Sequence, residues 1–261
     1  MRNSLVFPPL TREVQLDEKS AFVGKKEARC DPDNPADRDL GDRWDHTAVD
    51  PEHALLIAMV PGKRQQQNCR EVLEQVKART DGRTDLLLTS DEYASYEPAI
   101  KAAYGVETPV PRKPGPGRPP KPRKVVPEDL CYATVRKTRK KGRVVEVIQK
   151  VVFGVAALLT ALLDRSPVSS TINTSFVERN NGTDRGQNAR KGRRTYCFSK
   201  RVDVHDAVSF FVGFSYNFCW PVRTLQRRLA TEGPCTPAMA ARLTDHVWPV
   251  GEWATYAAKP G

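Results

Sequence analysis

The stretch TREVQLDEKSAFVGKK (residues 11–26) alternates apolar and polar side chains with a period of two. Val14 and Leu16 fall on one face, whereas Gln15 and Asp17 fall on the other. This alternation is typical of a half-buried β-strand. Asp17 is therefore predicted to point away from the apolar side of the strand, where its carboxylate can take part in chemistry.

The segments that follow this strand predict a mixed α/β fold. Residues 43–64 contain two strand-like segments joined by a turn at 50–53, which completes a three-stranded antiparallel meander. Residues 65–80 repeat apolar side chains at helical spacing, and a helix is expected to end near 81–82. The apolar run in TDLLLTSDEY (84–93) predicts a covered strand ending at Ser90-Asp91, with a helix after it through 93–105. This order matches the ribonuclease H-like layout, a mixed sheet flanked by helices.

The second half of the chain starts with a segment that cannot be a regular helix or a central strand. Residues 108–127 contain eight prolines and form a basic linker. Residues 131–152 then predict a hairpin around a Lys-Lys-Gly turn with a cationic tip. Helices are expected near 155–164, around Glu178 and through 203–220, and a short one at 237–243 in an otherwise irregular tail. The side of the 203–220 helix predicted to be core carries Val208, Phe211, Val212, Ser215 and Phe218.

Charge is distributed unevenly along the 261 residues, whose net charge is +11. Residues 1–110 hold 15 Lys and Arg against 20 Asp and Glu, whereas residues 111–150 hold 13 against 3. A concentrated basic segment beside an acidic one points to a polyanionic partner; a solvated basic loop is the alternative.

Several classes of protein are disfavoured by the sequence. The longest apolar run, residues 151–163, is too short to cross a bilayer, and the first residues carry no recognisable export signal. The six cysteines lack zinc-ligand spacing, and the four histidines are dispersed. We expect a cytoplasmic protein with reduced thiols and no membrane segment.

Three acids occupy the places where acids converge in a ribonuclease H-like layout. Asp17 lies on the first strand, Asp91 at the end of the fourth strand and Glu178 on a late helix. Three hard oxygen donors suit Mg²⁺, and two such ions can hold the attacking and leaving oxygens of a phosphodiester. The predicted cofactor is therefore two Mg²⁺ ions, for which Mn²⁺ can substitute.

Five segments resemble the DDE transposases of the insertion sequence one family: QLDEKSAFVGKK (15–26), LTSDEYASYEPAIKAAYG (88–105), INTSFVERNNGTDR (172–185), RKGRRTYCFSK (190–200) and YNFCWPVRTL (216–225). The resemblance runs through nearly the whole chain. It implies that Asp17, Asp91 and Glu178 are the catalytic metal ligands. It also implies that Arg185, seven residues after the Glu, contacts DNA, and that Asn181, on the same helical face, does so too.

The sequence departs from that family in two ways. Ser20 stands where the family usually has Trp, which alters the packing under the first acid. Complete members also carry an N-terminal zinc-binding and helix-turn-helix region, so the resemblance covers the catalytic part alone.

Each acid also has a structural interpretation. Glu178 satisfies a Ser-x-x-Glu capping box with Ser175. Asp91 can cap a helix starting at Tyr93. Asp17 can be one more exposed strand acid, and Asp45 and Asp50 are rivals for the position of the first acid.

Two basic segments are candidate DNA contacts. PGPGRPPKPR (114–123) resembles an AT-hook, in which Arg118 would enter an A·T-rich minor groove; nonspecific phosphate contact is the alternative. The cluster RKGRRTYCFSKR (190–201) is predicted to contact phosphates rather than form a merely solvated face. Its predicted DNA-binding residues are Arg190, Lys191, Arg193 and Arg194.

Together these features predict the catalytic domain of a DNA transposase, acting on double-stranded DNA as a homo-oligomer. The predicted organisation is a first catalytic part (1–107), a basic Pro-rich linker (108–127), an inserted basic hairpin (128–153), a helical catalytic remainder (154–220) and a C-terminal tail (221–261). The rivals are a noncatalytic DNA-binding relic and a ribonuclease H-like nuclease without strand transfer.

Overall fold

A computed structural model describes residues 10–111, 120–192 and 194–256. Its centre is a six-stranded mixed sheet in the order β3-β2-β1-β4-β7-β8. The strands are β1 (Glu13–Val23), β2 (Gly41–Asp50), β3 (Leu55–Gly62), β4 (Leu87–Ser90), β7 (Cys131–Lys140) and β8 (Arg143–Phe153).

The first three strands form the predicted antiparallel meander, and β4 joins β1 in parallel. Strand β7 pairs with β4 in parallel, and β8 returns antiparallel along β7. The sheet therefore has the predicted mixed α/β class, and its element order is compatible with a ribonuclease H-like fold.

Helices cover both faces of the sheet. Helices α1 (Gln66–Arg79) and α2 (Tyr96–Tyr104) pack on the face that carries Val14 and Leu16. The opposite face is covered by α3 (Ala156–Asp164), α4 (Ser175–Gln187) and α5 (Val202–Cys219). Because side chains alternate along a strand, Gln15 and Asp17 lie under α4.

Helix α5 buries only part of the side predicted to be core. Ser215 and Phe218 are buried as predicted, but Phe211 is 41% exposed, and the other buried positions form a stripe of small and polar residues four apart. That stripe consists of His205, Ser209, Gly213 and Asn217. The reason is close packing on β3, since a Cβ added at Gly213 would lie 2.7 Å from Met59 Cε. The apolar periodicity alone does not reveal a contact built on a glycine.

The segment predicted as a linker contributes only a small separate sheet to the described structure. Strand β5 (Val106–Thr108) pairs antiparallel with β6 (Arg123–Val125). The hairpin after it turns at Lys141-Gly142, both with positive φ. Residues 128–153, interpreted from the sequence as an insertion, also supply β7, an inner strand of the main sheet.

The C-terminal tail is more helical than predicted. It contains α6 (Arg223–Leu229), α7 (Pro237–Ala240) and α8 (Val250–Tyr256). Trp253 of α8 stacks on Phe218 of α5 with ring centroids 5.3 Å apart, which fastens the tail to the domain. Within the described ranges, no helix has both the length and the apolar content to cross a membrane.

Candidate active site

Two of the three predicted acids, Asp17 and Asp91, lie together at the carboxyl end of β4. Strand β4 stops at Ser90, whereas its parallel neighbours continue, β1 to Val23 and β7 to Lys140. Asp91 follows directly at this end and lies beside Asp17 and Glu18 of β1. One carboxylate oxygen from each of these three acids lies within 4.8 Å of the other two. The ends of parallel strands in α/β sheets commonly bind ligands.

Asp17 is half-buried and held by two hydrogen bonds. Its Oδ1 accepts from the backbone amide of Glu18 at 2.8 Å, and its Oδ2 accepts from Asn181 Nδ2 at 2.8 Å. Burial raises the pKa of Asp17 to about 6, an effect to which the charges of Asp91 and Glu178 add and which these two hydrogen bonds oppose. Asp17 is thus not the freely exposed strand acid of the alternative interpretation.

The Asp91 carboxylate takes part in the local backbone structure. Its Oδ1 accepts a hydrogen bond from the backbone amide of Tyr93 at 3.0 Å. Helix α2 begins at Tyr96, three residues later than the alternative requires. The bond therefore closes a turn after β4 and leaves Asp91 beside Asp17.

Glu178 lies on the first turn of α4, outside the group of three acids but electrostatically coupled to it. Its Oε1 accepts hydrogen bonds from Thr174 Oγ1 at 2.7 Å and from Lys137 Nζ at 2.6 Å. Partial burial raises the pKa of Glu178, but these two bonds outweigh it and the net shift is downward. The charge of Glu178 nevertheless raises the pKa of Asp17, so the two carboxylates are electrostatically coupled.

The capping box does not form around Glu178. The backbone amide of Ser175 donates to Asn173 Oδ1 at 3.1 Å instead, and Thr174 is the N-cap residue.

Gln15 anchors α4 to the strand that carries Asp17, and sequence reasoning gave it no role. Its Oε1 accepts from the backbone amides of Phe176 at 3.0 Å and Val177 at 3.2 Å. Two of the helix's N-terminal amides are thereby satisfied by a side chain of β1. The sequence signal was present, since Gln15 shares the strand face of Asp17.

Glu18 was also missed as part of the site. It lies on the opposite strand face from Asp17, and its Oε2 pairs with Arg64 at 2.9 Å. The Arg64 guanidinium stacks on Trp44 and Tyr93, with ring centroids 4.7 and 4.1 Å from Cζ. Burial raises the pKa of Glu18 to about 7, with the charge of Asp91 adding to the shift. The carboxylates of Asp17, Glu18 and Asp91 therefore form a negative cluster that a bound cation would stabilise.

Two residues predicted to contact DNA are buried. Asn181 is 2% exposed, and its amide bonds Asp17 and Thr47 rather than facing outward. The Lys191 side chain is fully buried, and its Nζ pairs with Asp45 at 2.5 Å and Asp184 at 3.5 Å. The prediction of DNA contact is wrong for both, because the fold turns these side chains inward.

The two rival acids have structural roles. Asp45 is buried between Lys191 and Lys19, the latter 3.4 Å away. Asp50 closes the turn between β2 and β3 by accepting from Thr11 Oγ1 at 2.8 Å and bonding His53 Nδ1 at 2.7 Å. Neither carboxylate joins the group at the end of β4.

The remaining predicted DNA contacts are the arginines of α4 and the segment after it. Arg194 is exposed, whereas Arg185 and Arg190 are half-buried. Arg118 and Arg193 lie outside the described residues. DNA contact by these five arginines stays a prediction.

No protein-family model and no curated protein matches the chain. Among solved structures, one match is the Mos1 transposase paired-end complex with left transposon end. That match has 19% identity and a TM-score of 0.23, and it covers 36% of this chain and 33% of the other. This chain thus spans about a third of that protein. A TM-score this low assigns neither fold nor function to this chain. Its function is therefore inferred from the side chains of the site.

Proposed function

We propose that this chain is the catalytic part of a DDE transposase of the insertion sequence one type, which cuts DNA and joins a freed 3′-hydroxyl to a new phosphodiester. The observation that carries the proposal is the approach of Asp17 on β1 to Asp91 at the end of β4, with one carboxylate oxygen of each within 4.8 Å of the other. Glu178 on α4 lies outside that group, but its charge, like that of Asp91, raises the pKa of Asp17. Acids with only structural roles would not need to approach one another from separate elements.

The donor set fits Mg²⁺. It consists of carboxylate oxygens, which hard divalent cations prefer, and those of Asp17 and Asp91 already lie within 4.8 Å of each other. Asp17, Asp91 and Glu178 would hold the ions. When bound, two such ions would activate the attacking oxygen and stabilise the leaving oxygen.

The protein's own residues position these acids. Asn181 fixes the orientation of the Asp17 carboxylate, and Gln15 fixes the start of the helix that carries Glu178. Lys137 places an ammonium group 2.6 Å from Glu178. If Glu178 held a metal, that ammonium group would be free to bind a phosphate of the substrate.

The wider proposal includes the partners. Double-stranded DNA at element ends and target is the substrate, and synapsis of two ends requires a homo-oligomer on DNA in the cytoplasm. Arg190, Arg193 and Arg194 after α4, and Arg118 of the linker, would be the additional phosphate and minor-groove contacts. The distribution of positive charge supports DNA as the partner.

The test is a strand-transfer assay with purified protein, Mg²⁺, a plasmid target and a pre-nicked, 3′-hydroxyl-ended duplex from the element that encodes the chain. We expect a joined product that disappears with a chelator. Glu178→Gln should reduce joining by at least about 100-fold, because a ligand of the reacting centre is lost. Its DNA binding should persist.

The matched control is Glu74→Gln, which changes an exposed acid on α1 and should leave joining unaltered. Cutting without joining would identify a nuclease, and binding without either reaction would identify a noncatalytic relic. Either result contradicts the proposal.

A further inference from the structure

The outer part of the β7–β8 hairpin projects beyond the main sheet. Strand β4 pairs with β7 only as far as Thr134, so within the part of the chain that the structure describes, residues 135–140 of β7 have no strand partner on that side. They pair only with β8, through Arg136↔Ile148 to Lys140↔Arg143. Six residues at about 3.4 Å each give an arm roughly 20 Å long. We call residues 135–149 the ribbon.

The ribbon is strongly basic and exposed. Residues 135–149 contain six Lys and Arg and one acid, Glu146. Glu146 bonds Thr138 across the two strands at 3.1 Å. The exposed cations near the tip are Arg139, Lys140, Lys141 and Arg143.

Apolar side chains are exposed between these charges. Val144, Val145 and Val147 are 43%, 53% and 51% exposed. Branched apolar side chains interleaved with cations are unusual for a surface that serves only solubility. They suit a partner that offers both phosphates and apolar edges.

The base of the ribbon lies at the acidic site. Lys137 bonds Glu178 at 2.6 Å, and Arg136 pairs with Glu92, which follows Asp91, at 3.6 Å. Gln149 donates to the backbone carbonyl of Ile172 at 2.7 Å, just before α4. A polymer held along the ribbon would therefore pass directly to the acids.

We propose that the ribbon enters the major groove of duplex DNA and guides the duplex onto the acidic site. A two-stranded β-ribbon fits the major groove of B-form DNA, which is about 12 Å wide. The tip cations contact the phosphates at the groove edges, and Val145 and Val147, two residues apart on one face of β8, face base edges such as thymine methyl groups. The deep, narrow major groove of A-form RNA does not admit such an arm. This inference rests on the proposed function only in naming DNA as the substrate.

The test compares two charge-matched double variants in fluorescence-anisotropy titrations of a B-form duplex over a range of salt concentrations. The ribbon variant is Lys140→Gln with Arg143→Gln, a cross-strand pair that leaves the Lys141-Gly142 turn unchanged. The control is Arg223→Gln with Arg227→Gln, exposed on α6 near the β2–β3 turn, at the opposite end of the sheet. Loss of two phosphate contacts should lower the slope of log K against log salt by about two in the ribbon variant alone.

Three results would overturn the ribbon's role: an unchanged slope in the ribbon variant, an equal loss in the control variant, or equal competition by double-stranded RNA of the same length. Failure of the wild-type chain to bind any duplex would instead remove the proposed function. Salt-dependent binding that is insensitive to the ribbon would leave that function standing.

Discussion

At the scale of single residues, burial decides which charges act on a ligand and which act on the fold. Lys19, Asp45, Asp184 and Lys191 form one cluster in which each side chain is at most 7% exposed. Two cations and two anions cancel, which makes their removal from water tolerable. The cluster ties β1 and β2 to α4 and the turn after it.

Lys191→Met should lower the free energy of unfolding by about 3–5 kcal/mol, because it leaves an uncompensated buried carboxylate. Arg194→Met changes an exposed neighbour in the same basic run and should shift stability by no more than about 0.5 kcal/mol. Urea unfolding followed by circular dichroism measures both. Equal effects of the two substitutions would show that Lys191 is not part of a buried ion-pair cluster.

This contrast shows the limit of sequence reasoning about single residues. Asp17 and Asp91 could be placed together because strand order and the resemblance fixed their positions, whereas Glu178 lies outside the group that they form. Lys191 and Arg194 lie in one uniform basic run, and nothing in that run shows which side chain faces inward. Asn181 was placed on the correct helical face, but its partner is Asp17 rather than DNA.

At the scale of elements, α5 shows how a helix can close the open edge of a sheet. Strand β3 is an edge strand, and unpaired backbone groups on such an edge are a liability. The Asn217 amide pairs with the backbone of Leu56, accepting from its N–H at 3.0 Å and donating to its carbonyl at 2.8 Å. A fully buried polar side chain here replaces a missing strand.

Asn217→Ala should destabilise the protein by about 2–4 kcal/mol, because two buried backbone groups of Leu56 lose their partners. Ala207→Gln, on the exposed side of the same helix, serves as the control and should change stability by less than about 0.5 kcal/mol. Thermal and urea unfolding provide the comparison. A loss below about 0.5 kcal/mol for Asn217→Ala would contradict the edge-closing role.

Element types were predictable where periodicity was strong, as in the meander, α1 and β4. The full buried side of α5 could not be predicted, because apolar periodicity assigns the core to large side chains such as Phe211. The structure instead packs Gly213 and Asn217 closely against β3. Helices α6 and α8 were also missed. Helix α8 depends on the packing of Trp253 against Phe218 and Trp248 rather than on a strong pattern of its own.

At the scale of the whole molecule, an acidic group and a basic ribbon lie side by side at one end of the sheet. Acids gather where β4 stops, and the neighbouring strands β1 and β7 extend beyond it on both sides. The basic ribbon continues from β7, so positive charge surrounds a negative centre. The basic ribbon would attract a polyanion toward the acidic site. The carboxylates of that site would repel the polyanion's phosphates unless divalent cations were bound there.

The central claim is that Asp17, Asp91 and Glu178 hold divalent metal. Its most direct test is titration of the protein with Mn²⁺, with free ion measured by electron paramagnetic resonance. We expect saturable binding by the wild-type chain and by the exposed-acid control Asp33→Asn, with at least a tenfold loss of affinity in a folded Asp17→Asn variant. Absence of saturable binding in the wild-type chain, or unchanged binding in Asp17→Asn, would contradict the account.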